Sequence, residues 1–150
     1  MAVRRAAPPP PKPPTQMDLD HAFKRRDWDP RWMARLARIC LAFPETVEVE
    51  QFGGPWYKAG KKPFAFYGAE STKDAAGHHG VDGAAFNLTD LDQSALLQDP
   101  RFTRPRYIGQ HGWAMQAWSK EPDWGEVREL AESAYRKVAN QRMLRALDAR

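Results

Sequence analysis

The spacing of hydrophobic residues changes along the chain, and each change marks an element. From Asp29-Pro30 onward, Met33, Leu36, Ala37, Cys40 and Leu41 recur at helical intervals, with Arg31, Arg35 and Arg38 on the opposite side. Asp followed by Pro is a helix start, because the carboxylate caps free N–H groups and proline has none to lose. Phe43-Pro44 stops this helix. Alternation then takes over. TVEVEQF sets Val47 and Val49 against Glu48 and Glu50 as a strand. After the break at Gly53-Gly54-Pro55, WYKA and PFAFYG form a hairpin joined at Gly60-Lys61-Lys62, with Phe64 and Phe66 on one face. Residues 71–83, rich in Gly, Ala, Asp and His, read as a loop. AAFNL is the next strand, and Thr89 caps a short helix running through Leu97. PRYI and WAMQAW flank the turn Gly109-Gln110-His111-Gly112 as another hairpin. The last helix opens at Asp123 with Glu126 in capping-box position, and Trp124, Val127, Ala131, Ala134, Tyr135 and Val138 form its apolar stripe. Met143, Leu144 and Leu147 fall off that stripe, so the helix bends or ends near Asn140. Short turns join the strands and no βαβ alternation occurs, which predicts an α+β fold with an antiparallel sheet.

Composition changes this picture mainly at the N-terminus. MAVRRAAPPPPKPPT holds six prolines in fifteen residues and has almost nothing to bury. Residues 1–28 are therefore expected to form an extended, basic arm, and residues 29–150 a single domain. A plain flexible leader is the favoured reading of the arm; a PxxP-type ligand for a protein partner is the alternative. The single cysteine, Cys40, excludes an internal disulfide. No apolar run reaches the roughly 20 residues that span a bilayer, and Arg4-Arg5 leads into prolines instead of a signal-peptide core. A cytoplasmic protein without a membrane partner is expected. Residues 1–40 carry nine Lys/Arg against four Asp/Glu, residues 41–134 nine against fourteen, and residues 135–150 five against one. The basic character sits at the two ends, so a polyanion-binding face on the domain has to be a local patch.

Candidate chemistry is sparse. His78-His79, with Asp74 and Asp82 nearby, suggests a metal site, but adjacent histidines point apart and no spaced third ligand follows, which favours a solvated loop. Cys40 lies on an apolar face and reads as core. His111 has no Ser, Cys or Asp partner in a triad pattern. There is no nucleophile elbow, P-loop or dinucleotide fingerprint, so neither an enzyme nor a cofactor is expected. The six tryptophans sit mostly at core positions, with base stacking by an exposed ring as the alternative. Two basic sets stand out. Lys58, Lys61 and Lys62 cluster at one hairpin; Arg101, Arg104 and Arg106 lead into the other, with His111 at its tip. Such hairpins can track a phosphate backbone. Ordinary solvated turns explain them as well, and the residues alone leave the two readings even.

The segments LARICLAFPETVEVEQFGGPWYKAGKKPFAFYG, FNLTD, FTRPRYIGQHGWAMQAW and ELAESAYRKVANQ occur in that order within residues 32–141. In this combination the chain resembles the MmcQ/YjbR family of small proteins described as DNA-binding. The resemblance implies an α+β double-wing fold, in which two β-hairpin wings flank a curved sheet. It implies DNA as the partner and brings no catalytic residue with it. A module that binds a protein or a small ligand between the wings, without touching DNA, is the alternative.

Overall fold

The computed structural model describes residues 28–70, 80–106 and 111–150. The expected arm, up to Asp27, and residues 71–79 of the expected loop lie outside the described residues. Helix α1 (Pro30–Leu41) is followed by β1 (Thr46–Gln51), β2 (Gly54–Ala59), β3 (Lys62–Glu70) and β4 (Gly80–Asn87). Then come α2 (Asp90–Leu96), β5 (Phe102–Thr103), β6 (Trp113–Ala117), α3 (Trp124–Val138) and α4 (Gln141–Asp148). The strands form one antiparallel sheet in the order β1-β2-β3-β4-β6-β5. The fold is thus α+β, with an N-terminal helix, a six-stranded antiparallel sheet and C-terminal helices, as the sequence pattern predicts and in keeping with a double wing.

Capping side chains set the helix boundaries. Asp29 accepts from the Arg31 N–H, Thr89 from Asp92, and Asp123 from Gly125 and Glu126. The predicted interruption near Asn140 is real: Ala139 leaves the helical region, and Asn140 caps α4 by accepting from the Met143 N–H at 2.9 Å. Each such cap stabilises its helix by about 1 kcal/mol.

One face of the sheet carries the helices. Leu36 and Cys40 of α1, with Val127, Ala131, Ala134 and Tyr135 of α3, pack on Tyr57, Phe64, Tyr67 and Phe86 in the main core. Phe43 stacks on Tyr135 with ring centroids 5.0 Å apart, and the Tyr135 hydroxyl donates to Pro44 O at 2.7 Å. The other face carries Ala69, Ala85, Trp113 and Met115, joined by Trp56, Phe66 and Val81, and no described helix residue belongs to that cluster.

Four expectations need correction. Phe64 and Phe66 lie on opposite faces, because the β2–β3 register shifts between Tyr57 and Lys58. The extra residue of this bulge turns Phe64 into the helix-side core and leaves Phe66 on the open side. Leu41, expected on the buried stripe of α1, is 45 % exposed although Cys40 in the same turn is fully buried; it lies about 100° around the helix from Cys40, at the margin of the stripe. Val47 is also 47 % exposed, since β1 is an edge strand and Val47 faces the open side beside Lys58. Lastly, among the described residues the strand pairing with β6 is Phe102–Thr103, and Pro105 and Arg106 of the expected PRYI strand lie outside it. Arg104 interrupts the ladder, Pro105 has no N–H to offer it, and Tyr107 and Ile108 lie outside the described residues. In addition, residues 80–83 of the expected loop belong to β4.

Candidate nucleic-acid interface

Register fixes which basic side chains share an end of the sheet. The β2–β3 hairpin turns at Gly60 and Lys61, with Ala59 paired to Lys62. Lys61 and Lys62 are exposed there, and Lys58 is half-buried on the open face. At the same end β4 finishes and β6 begins, since Asn87 pairs with Trp113. Asn87 ties the two together: its Nδ2 donates to Pro63 O at 3.2 Å, and its Oδ1 accepts from Lys137 Nζ at 2.5 Å. Exposed His111 therefore joins Lys61 and Lys62 at one end.

Arg101 and Arg106 of the predicted set stand elsewhere. Arg101 precedes β5 at the opposite end, where its guanidinium donates to Asp99 Oδ2 at 2.8 Å and Glu126 Oε2 at 3.0 Å. These hydrogen bonds, first to Asp99 and then to Glu126, hold its pKa above the usual arginine value. Arg104 is exposed just after β5. Arg106 lies across the open face toward the far end of β3: its backbone N–H donates to Glu70 Oε2 at 3.0 Å, and its Nε lies 3.7 Å from Glu70 Oε1.

Lys137 was not among the predicted residues, although it sits beside His111. Its ammonium donates to Asn87 Oδ1, to Leu88 O at 2.7 Å and to His111 O at 3.1 Å. An ammonium has three donors, and here all three are used within the protein. Partial burial lowers its pKa from the ordinary lysine value. Lys137 is a tie between α3 and the sheet, not a spare cation. Asn87 lies 50 positions away in the chain, so no local pattern announces the pairing. Lys137→Met should lower stability in urea melts by about 1–2 kcal/mol by leaving carbonyls unpaired, whereas Lys62→Met should move it by less than about 0.5 kcal/mol.

Among the described residues, no group of three or more His, Cys, Asp and Glu is placed to hold a metal ion. Asp74, His78 and His79 lie outside those residues. Asp82 is engaged structurally, accepting from the Asp29 N–H at 2.9 Å and the Tyr67 hydroxyl at 2.5 Å. Cys40 is fully buried, and burial pushes its thiol well above the usual range, in keeping with a core residue. No helix of the described residues is long and apolar enough to cross a membrane.

The open face carries a second feature. Trp56 stacks on Phe66 at 4.3 Å and meets Trp113 edge-on at 5.6 Å, with Phe52 tilted over it at 5.7 Å. A cleft of about 570 Å³ opens against Trp28, Phe52, Trp56, Phe66 and Met115, with Arg106 on its wall. Its residues come from widely separated segments, so only the two neighbouring aromatics of β2 and β3 were visible as a local pattern.

No curated protein matches the chain. The model of the YjbR family matches residues 41–137, well over half of the 150 residues. That span runs from the end of α1 to Lys137. It therefore encloses both hairpins, the Asn87 bridge and the lysine that closes it, and the chain belongs to the YjbR family.

Proposed function

We propose that this chain is a non-catalytic accessory domain that binds DNA through its phosphate backbone. The contacts are Lys58, Lys61 and Lys62 on the β2–β3 hairpin, with Arg104 and His111 on the β5–β6 wing. The observation that carries this reading is the meeting of Lys61, Lys62 and His111 at one end of the sheet, braced by Asn87 between the two hairpins. Lysines on a turn suit phosphate, which asks for charge more than for geometry. Arg101 contributes less, because its guanidinium is held by Asp99 and Glu126. Arg106 orients the wing through Glu70. Family membership supports the reading, since the YjbR resemblance points to DNA.

Fluorescence anisotropy across a salt series tests it. If about four phosphates are neutralised on a duplex, log K should fall against log salt with a slope of roughly −3 to −4. Lys61→Ala with Lys62→Ala should flatten that slope by about one to two units, whereas Arg101→Ala should leave it in place. A chain without residues 1–27 should keep most of the affinity. If instead that deletion abolishes binding and the double change does nothing, the contacts lie in the arm, whose cations include Arg4, Arg5 and Lys12. Absence of binding at about 50 mM salt and tens of micromolar protein would remove DNA as the ligand, since even nonspecific binders have dissociation constants of roughly 10⁻⁴–10⁻⁶ M at physiological salt. The second reading, a module for a small ligand, is favoured by the cleft on the open face.

A further inference from the structure

We infer that the open-face cleft is the docking site for this chain's own N-terminal proline segment, Pro8 to Pro14, bound as a polyproline helix. This assignment goes beyond DNA binding and does not rest on it.

The chain enters the fold at the cleft itself. Trp28, the first described residue, is one of its walls. The Trp28 ring is 7 % exposed and packs edge-on against Tyr67. Glycines clear its seat: a Cβ at Gly68 would approach the ring to 2.8 Å and one at Gly80 to 2.5 Å. The next residue is pinned too, since the Asp29 N–H donates to Asp82 Oδ1 at 2.9 Å. Everything before Trp28 is thus tethered at a fixed point of the cleft wall. Residues 12–27 separate Pro11 from Trp28. An unstructured tether of that length averages on the order of 20–25 Å end to end, enough to double back across a cleft of about 570 Å³. It also holds its ligand at an effective concentration on the order of 1 mM, so even a weak contact is occupied.

The walls suit proline and suit an ordinary peptide poorly. Trp56 and Phe66 are half-buried and nearly parallel, with an interplanar angle of 19°. Phe52, 78 % exposed, tilts over Trp56 from the β1–β2 turn. The three rings follow one another at centroid distances of 5.7 and 4.3 Å, a row about as long as one polyproline turn of roughly 9 Å. Aromatic-lined grooves receive polyproline because its rings pack on ring faces and the helix is formed in advance, which leaves little entropy to lose. Hydrogen-bond donors sharpen the match. A backbone N–H lodged against an apolar wall goes unpaired, and proline has none. Between Pro8 and Pro14 only Lys12 carries one. A nucleic-acid strand would instead bring phosphates to a face whose Arg106 is engaged with Glu70.

The test compares the full chain with a full-length variant carrying Pro9→Ser, Pro10→Ser and Pro11→Ser, which keeps the tether and removes the rings. ¹⁵N–¹H spectra read the Trp56 indole, assigned with Trp56→Phe, and the Gly68 and Ala69 amides of the wall. These signals should differ between the two chains. A free peptide of residues 6–16 should saturate the variant and move its signals toward those of the unaltered chain. In the unaltered chain the docked segment competes, so a peptide with a dissociation constant of about 0.1 mM should bind about tenfold more weakly. Phe52→Ala, a change at an exposed ring, should weaken the peptide in the variant while leaving its urea melt in place. The Lys61→Ala, Lys62→Ala protein should show the cleft signals of the unaltered chain, whatever becomes of DNA binding. Identical cleft signals in the two chains, or no saturation up to millimolar peptide, overturns the proposal. Equal peptide affinity for both chains also overturns it, and would make the cleft a site for another protein's proline segment. Cleft signals of the unaltered chain that move on dilution overturn it as well, since the occupant would then be the arm of a second copy.

Discussion

Gly112→Ala is expected to destabilise the protein by roughly 2–6 kcal/mol, the sum of a strained backbone and an overpacked contact. Gly112 has φ at 96°, outside the range in which a side-chain-bearing residue is comfortable. An added Cβ would collide with Leu88 O and come within 2.5 Å of Lys137 Nζ. Retreat is blocked, because Gly112 O accepts from the Leu88 N–H at 2.8 Å and Trp113 is already paired with Asn87. Gly60→Ala is the control. Its φ of 63° imposes a similar backbone penalty, but the Cβ meets only the terminal methyl of Met143 at 3.1 Å, which can swing aside. Urea melts should place the Gly60 variant at a loss of about 1–3 kcal/mol and the Gly112 variant below it. A Gly112→Ala protein as stable as the unaltered chain would show that the Leu88–Lys137 junction is looser than described. Because Lys137 shares the clash, losses at Gly112 and Lys137 should not add: the Gly112→Ala, Lys137→Met pair should lose less than the two single changes together.

That junction also shows where the sequence stops being informative. Helix ends were legible because their causes are local: Asp29, Thr89, Asp123 and Asn140 each cap a backbone N–H two or three residues away. The strands were legible by alternation, and their faces less so. Phe64 and Phe66 look equivalent in sequence, and only the pairing of Tyr57 with Ala65 and of Lys58 with Pro63 reveals the bulge that separates them. Val47 and Leu41 alternate or repeat correctly, but burial depends on what lies opposite, and an edge strand and the margin of a helical stripe have little there. The basic clusters were visible as runs of Lys and Arg. Their division was not, because it follows from β6 lying between β4 and β5, which puts Arg101 near Glu126 and His111 near Asn87. Trp28 is the extreme case. It precedes the first helix in an unpatterned stretch, and its seat is formed by glycines of three different strands.

Leu36→Ala should cost about 2–5 kcal/mol, the range for deleting a buried leucine side chain whose cavity refills poorly. Leu36 has no exposed surface and lies in the main cluster, where α1 meets the sheet and α3. That cluster is rich in rings on strands and in helix-packed residues, including Phe64, Tyr57 and Tyr135, which have little freedom to close a gap. Arg35, one position earlier, is exposed, but its guanidinium lies over the Trp124 ring at 5.3 Å. Arg35→Ala should therefore lose about 0.5–1 kcal/mol, more than an ordinary surface change and much less than Leu36→Ala. Leu41→Ala completes the comparison. Periodicity puts Leu41 on the stripe with Leu36, whereas its exposure of 45 % says that much of the side chain is already in water. Urea melts of the three variants should order the losses as Leu36 far above the other two. A Leu41→Ala loss equal to that of Leu36→Ala would mean that α1 is rotated about its axis toward the stripe that periodicity alone predicts. The seat of Trp28, which enters the fold one residue before the Asp29 cap, would then have to be redrawn with it.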